Sequence, residues 1–455
     1  MARLNGFGLA ELLPLRRTVR IGVTGLARAG KTALLTSLAA NLTALAAGRR
    51  SLPALSDRLA SRVLRVSVAP AGASDLPRFD VATHLAALIA DPPHWPARTT
   101  SVSLLALDLE LARDGLLAAL GPRLWRLEFL DYPGEWLLDL PLLDADFADW
   151  SATVLRRLEA PETASIAREF LGFARGLPAG AGADEPLASS GHRLYAATLR
   201  RLRDEAGLAF LQPGRFLMPA PGAAPPWMQF FPLPGHSPLA ALLGARFNAY
   251  VAAVRRDMVS PLFGSLDRLV VVADLLSALH QGRAAFADAR SALAAASGAL
   301  RWSRSWTDWL AAFSRLELPA PAIGRVAFAA TKADHVAARQ RGNLAALMRR
   351  LTDVPGGGAL SAAFAVASVR CTEDAVETLA GRPVSAVRGR IIGEPRPARS
   401  YPGEVPDAPP EDAFWQHRFL ALPDFEPLRP PEDGRGGVTQ LGLDTLLAFL
   451  LADIL

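Results

Sequence analysis

Two lysines stand among the 455 residues of this chain, against 47 arginines, and each lies in a segment suited to chemistry. Lys31 belongs to Gly25-Leu26-Ala27-Arg28-Ala29-Gly30-Lys31-Thr32, which fits the G-x-x-x-x-G-K-[ST] phosphate loop. Lys332 belongs to Thr331-Lys332-Ala333-Asp334, a TKxD segment suited to reading a base. A compact ammonium on a flexible stem can follow a phosphate chain or cover a base, and a planar guanidinium cannot copy that fit. The pair points to a nucleoside phosphate, held by its phosphates at one lysine and by its base at the other.

The glycine loop supplies backbone N–H groups from Gly25, Ala27, Arg28, Ala29 and Gly30, and the helix behind it supplies its positive end through Lys31, Thr32 and Ala33. Lys31 is expected to bridge the β- and γ-phosphates, and Thr32 to offer its hydroxyl to Mg2+. Asp131-Tyr132-Pro133-Gly134 follows an apolar run and matches a DxxG signal. Asp131 then holds Mg2+, directly or through water, and the Gly134 N–H meets the γ-phosphate. Alone, the same four residues make an ordinary turn. Trp95-Pro96-Ala97-Arg98-Thr99-Thr100 precedes another strand-like run; of its two threonines, Thr99 is favoured as a further Mg2+ ligand. Asp334 can accept the two parallel donors of guanine with one carboxylate, which adenine cannot match. The plain reading of that segment is a helix cap at Thr331 or Asp334. Ser368, Val369 and Arg370 occupy the place of a loop that meets the guanine oxygen through backbone N–H groups.

Catalysis is the thinner part of the pattern. Glu135 follows Gly134, where many small GTPases carry a water-orienting glutamine. A carboxylate there polarises water but repels the γ-phosphate unless a cation compensates. Arg28 in the loop is the expected cation, an arginine finger in cis, so turnover is expected to ignore exchange of K+ for Na+.

These residues need a scaffold of alternating strands and helices. The expected strands are Arg20–Thr24, Ser101–Glu110, Leu124–Leu130, Arg268–Ala273, Arg325–Ala330 and Ala363–Val369. Val384–Ile392 adds a strand or hairpin. Helices are expected over Ala33–Ala47, Val81–Ile89, Asp146–Leu158, Thr163–Arg175, His192–Glu205 and Pro238–Asp257, and over 284–299, 304–315, 338–352 and Leu441–Leu455. The fold class is therefore α/β: a P-loop, GTPase-like, mainly parallel sheet flanked by helices, with a helical insertion. The domain reading is 1–135 and 261–393 as two parts of one nucleotide domain, 136–260 as the insertion, and 394–455 as a proline-rich arm with a closing helix.

Composition narrows the setting. With 51% hydrophobic and 20% charged residues, the chain can bury a sizeable core. The formal charge of +5 is spread along it without a dense basic block, so nucleic acid is not the expected partner. Cys371 is the sole cysteine, which precludes an intrachain disulfide and suits a reducing cytoplasm. No uncharged apolar run approaches the length of about 18 residues required for a membrane span.

The order G-x-x-x-x-G-K-T, W-P-x-x-T, D-x-P-G-E-W and T-K-x-D resembles the YcjX-like family of bacterial P-loop proteins. So do Val270-Val271-Val272-Ala273-Asp274-Leu275-Leu276-Ser277-Ala278-Leu279 and the proline-rich tail. The resemblance implies binding and hydrolysis of GTP with Mg2+, a helical insertion and a stress-linked role. It also implies a membrane-protein partner and a cytoplasmic place, peripheral to the inner membrane. The ending Leu451-Ala452-Asp453-Ile454-Leu455 departs from the Gly-Asp-Lys-type close the resemblance leads one to expect. Two other readings stay open: an ATPase of the P-loop class, and a scaffold that GTP stabilises without turnover.

Overall fold

Apolar runs without alternation become the inner strands of the sheet. The computed structural model describes residues 17–55, 62–69, 76–97, 102–113, 115–218, 224–259, 266–297, 323–353, 360–379, 381–416 and 422–453. Seven strands form one sheet in the order β2-β3-β4-β1-β5-β6-β7. They are β1 (Arg17–Gly25), β2 (Val63–Val68), β3 (Ser103–Leu111), β4 (Arg123–Asp131), β5 (Arg268–Ala273), β6 (Arg325–Ala330) and β7 (Leu360–Ala365). From β4 to β7 every neighbouring pair is parallel. Strands β2, β3 and β4 pair antiparallel. The sheet is thus mainly parallel, with one antiparallel edge. Val270–Ala273 is buried on both faces, whereas β3 alternates between buried and half-buried side chains.

Helices cover both faces. On one lie α1 (Lys31–Ala46) and the closing helix α10 (Leu443–Leu450), whose leucines share a core with Val270, Val272, Ala327 and Ala329. The other face carries α7 (Leu275–Gln281), α8 (283–297), α9 (Ala338–Thr352) and the insertion. Helix α2 (Val81–Ile89) flanks α1 and has the span expected of it.

The insertion comprises α3 (Phe147–Leu158), α4 (Ala164–Arg175), α5 (Glu185–Glu205) and α6 (Pro238–Val254). Its centre is aromatic: Trp150, Tyr195, Phe216, Phe230, Phe247 and Tyr250 stack mostly edge to face. The same apolar cluster runs on to Leu26, Leu130, Val271 and Phe328, so the insertion shares one core with the sheet. Helix α5 begins earlier than the expected His192. Asp184 caps it by accepting the Leu187 N–H at 2.7 Å, and Pro186 fits its first turn.

Beyond β7, a second sheet holds β8 (Thr372–Leu379), β9 (Arg382–Arg390) and β10 (Pro397–Ser400), all antiparallel. The strand expected over Val384–Ile392 is β9, which forms a hairpin with β8, and β10 lies in the segment read as an arm. The tail then returns to the main sheet through an Ala367–Leu441 bridge. Asp453 pairs with Arg268 and Arg325 at the entrances of β5 and β6. Thr99, Thr100 and the helix expected over 304–315 lie outside the described residues.

Candidate nucleotide site

Strand β1 delivers the phosphate loop against β5. Leu26 donates its N–H to the Val272 carbonyl at 2.9 Å. A Cβ at Gly25, whose φ is 151°, would sit 2.0 Å from that oxygen, so only glycine allows the approach. Arg28 and Gly30 then turn left-handed, with φ of 63° and 82°. The resulting concavity ends at the start of α1, which has neither a side-chain cap nor an acidic residue in its first turn. With the positive end of its dipole there, this start of α1 suits an anion.

Asp131 ends β4, buried, next to Val23 of β1 and Ser103 of β3. The Ser103 hydroxyl is buried with no hydrogen-bond partner among the described residues. Asp131 and Ser103, paired across β4 and β3, offer oxygens of the hard kind that suits Mg2+, as does Thr32 at the start of α1. Gly134 follows in close contact with the loop. A Cβ there would lie 1.5 Å from the Gly25 carbonyl oxygen and 3.4 Å from the Lys31 Nζ. The two motifs, more than a hundred residues apart in sequence, meet backbone to backbone.

Glu135 and Asp139 sit in the 3-10 segment that Gly134 opens, Gly134–Asp144. Glu135 is half-buried, and a Cβ at Gly214 of the insertion would fall 1.8 Å from its carbonyl oxygen. Asp139 is fully buried, accepting the Gly214 N–H at 2.6 Å and the Tyr250 O–H at 2.5 Å. Burial pushes its carboxyl up to about 6, against the opposing pull of those hydrogen bonds and of Arg215. The expected finger, Arg28, donates to Asp204 at the end of α5 at 3.2 Å. Sequence reasoning missed Asp204 and its neighbour Arg203, because nothing local marks a contact across 176 positions.

The segments expected to read a base follow β6 and β7. Lys332 adopts φ 58°, and its Nζ pairs with Asp274 at 2.6 Å. Asp274 in turn caps α7 by accepting the Ser277 N–H at 2.9 Å, as expected of a cap. Asp334 is only 1% exposed. Its Oδ2 accepts the Cys371 N–H at 2.6 Å, the Cys371 thiol at 3.1 Å and the Thr372 N–H at 3.3 Å. All three donors fall on Oδ2, so Oδ1 takes none of these contacts.

The turn differs from expectation in register. Strand β7 ends at Ala365, not Val369. Val369 is buried with Ala40 and Val438, and the Arg370 N–H is committed to the Thr439 carbonyl at 2.9 Å. Arg370 therefore does not offer its N–H to a base. The next two residues, Cys371 and Thr372, donate their N–H groups to Asp334. The lone cysteine was the available signal.

Asp334, His335 and Cys371 keep ligand atoms within 4.8 Å of one another. Burial, then the Asp334 charge, pushes the Cys371 thiol up, and burial pushes the His335 imidazole down. Both stay neutral near pH 7, and the trio acts as a hydrogen-bond network that fixes the carboxylate.

A mainly parallel sheet with a glycine loop between β1 and α1 defines a P-loop, GTPase-like fold. The sequence profile of the YcjX-like family, DUF463, matches residues 19–455, and the chain belongs to that family. It is 34% identical over 458 residues to the "Ras-like GTPase YcjX" of Escherichia coli (strain K12), with 96% of each chain covered. It is 30% identical over 470 residues to the "Ras-like GTPase YcjX" of Shewanella oneidensis (strain MR-1), covering 96% of this chain and 94% of that one. No helix among the described residues is long and apolar enough to cross a membrane.

Proposed function

We propose that this protein binds GTP with Mg2+ and hydrolyses it to GDP and phosphate, changing the conformation of its 131–136 loop with nucleotide state. The observation that carries the reading is the meeting of Gly134, the Gly25 carbonyl and the Lys31 ammonium. A γ-phosphate held by Lys31 lies within reach of the Gly134 N–H, so its loss releases that segment. The names of the two relatives support guanine as the base.

In this reading the loop N–H groups and Lys31 hold the phosphates, and Thr32 and Asp131 hold Mg2+ together with Thr99. Bound there, Mg2+ would supply positive charge to offset that of the phosphates. Glu135 orients the attacking water. Asp334 accepts the guanine N–H groups, Lys332 covers the base, and the N–H groups of Ser368 and Val369 face its oxygen. The stress link and membrane partner implied by the resemblance concern the cell rather than the site.

Affinities for GTP, GDP, ATP and xanthosine triphosphate with Mg2+, for wild type and Asp334→Asn, test the base. Guanine preference that moves towards xanthine in the variant supports the reading; equal ATP and GTP affinity in the wild type overturns it in favour of the ATPase. Phosphate release at saturating GTP separates a GTPase from a scaffold.

A further inference from the structure

The last turn of α5 brings two adjacent charges of opposite sign to the phosphate loop. Asp204 accepts from Arg28 at 3.2 Å and from Nε and Nη2 of Arg203 at 3.0 Å each. Arg203 also donates from Nη1 to the Leu217 carbonyl at 3.1 Å. Those contacts use three of the five N–H donors of a guanidinium and fix its plane, leaving one donor on each terminal nitrogen.

Arg203 lines one small cavity with Ala27, Gly134, Glu135 and Leu217. Ala27 belongs to the phosphate loop, Gly134 is the γ-phosphate contact, and Glu135 is the water-orienting residue of the reading above. On that reading, a cation beside this cavity would face the place where charge develops during hydrolysis. Hydrogen bonding to Asp204, and the charges of Asp204 and Glu135, hold Arg203 above its ordinary value against the effect of burial.

We propose that Arg203, carried in by the insertion, stabilises the charge developing on the γ-phosphate, and that Asp204 positions it by gripping Arg28 at the same time. The proposal rests on the GTP-hydrolysis reading. In the step concerned, a water oxygen bonds to the γ-phosphorus while the bond to the β–γ bridging oxygen breaks. The bond electrons stay with GDP, and the water proton ends on the released phosphate.

Exposure separates the two arginines. The Arg28 side chain is 50% exposed and that of Arg203 24%. Solvent screens the first, and the second acts across a drier gap. Arg28, Arg203 and Asp204 together carry one net positive charge, which offsets the negative charge of Glu135 beside a γ-phosphate. The insertion is then part of the active site, and its docking is a condition of turnover.

Single-turnover hydrolysis, GTP affinity and binding of GDP with aluminium fluoride are measured on the full chain. The variants are Arg203→Ala, Arg203→Lys, Asp204→Asn and Arg28→Ala. Arg203→Ala is expected to slow hydrolysis by roughly 10²-fold or more, with GTP affinity held within ~3-fold and the fluoride complex lost. Arg203→Lys recovers part of the rate and serves if the alanine variant does not fold. Asp204→Asn lowers the rate at unchanged affinity, and Arg28→Ala has a smaller effect than Arg203→Ala. Hydrolysis by Arg203→Ala within ~3-fold of wild type overturns the proposal, as does loss of rate and GTP affinity in equal measure. A wild type that binds GTP without releasing phosphate overturns the hydrolysis reading itself, and the role of Arg203 with it.

Discussion

The two ends of the site are held by different kinds of contact. At the base end, Asp334 is anchored by backbone N–H groups from the next turn of the same sheet topology. At the phosphate end, Glu135 and Arg28 are met by a separate helical insertion, through a glycine contact at Gly214 and an ion-pair cluster at Asp204. Backbone anchoring over a short path gives a rigidly held carboxylate. Contacts between parts distant in the chain give a device whose state depends on docking. Specificity and turnover should therefore respond to different mutations.

The sharpest way to break the comparison is Gly134→Ala. Its Cβ would fall 1.5 Å from the Gly25 oxygen, so the loop must retreat. Hydrolysis is expected to drop to background, with GDP affinity changed by less than ~10-fold, as read by phosphate release and nucleotide titration. Next comes Asp334→Asn at the base end. Two charge-assisted hydrogen bonds at about 1.5–3 kcal/mol each correspond to roughly 10²–10⁴-fold in GTP affinity, with xanthosine triphosphate bound more tightly in exchange.

Asp139 sharpens the contrast through pH. Its folded value of about 6 lies above the ordinary 3.8, so the fold favours the protonated form. That contribution is fully present below 3.8 and is lost as pH rises through about 6. Roughly 2–3 kcal/mol of stability is at stake, and Asp139→Asn is expected to flatten melting temperature between pH 4 and about 7. A wild type whose melting point rises across that window would contradict this. The smallest effect belongs to Cys371→Ser, which keeps the backbone donor to Asp334 and exchanges one weak side-chain donor for another. GTP affinity should fall by less than ~10-fold and turnover not at all.

Much of the site was legible because each motif directly follows an apolar strand. The spans Arg268–Ala273 and Arg325–Ala330 are those expected, and the glycine loop, DxxG and TKxD segments sit at the strand exits. Strands β2 and β8 were not legible. They lie at sheet edges, where Arg65, Glu373 and Glu377 interrupt any apolar signal. The latch between Arg28, Arg203 and Asp204 was invisible for another reason. A long-range ion pair between half-exposed groups has no sequence signature, and only folding brings its members together.

The placement of the two lysines has a practical consequence. Lys31 Nζ lies beside Gly134, and Lys332 Nζ beside Asp274. Apart from the chain's own terminal amine, these are the targets for an acylating reagent in the entire sequence. Covalent labelling followed by peptide mass mapping is thus a two-point footprint of occupancy. If the proposed GTP reading holds, a phosphate chain would shield one amine and a base the other, and the pair of yields would report which half of a ligand is in place.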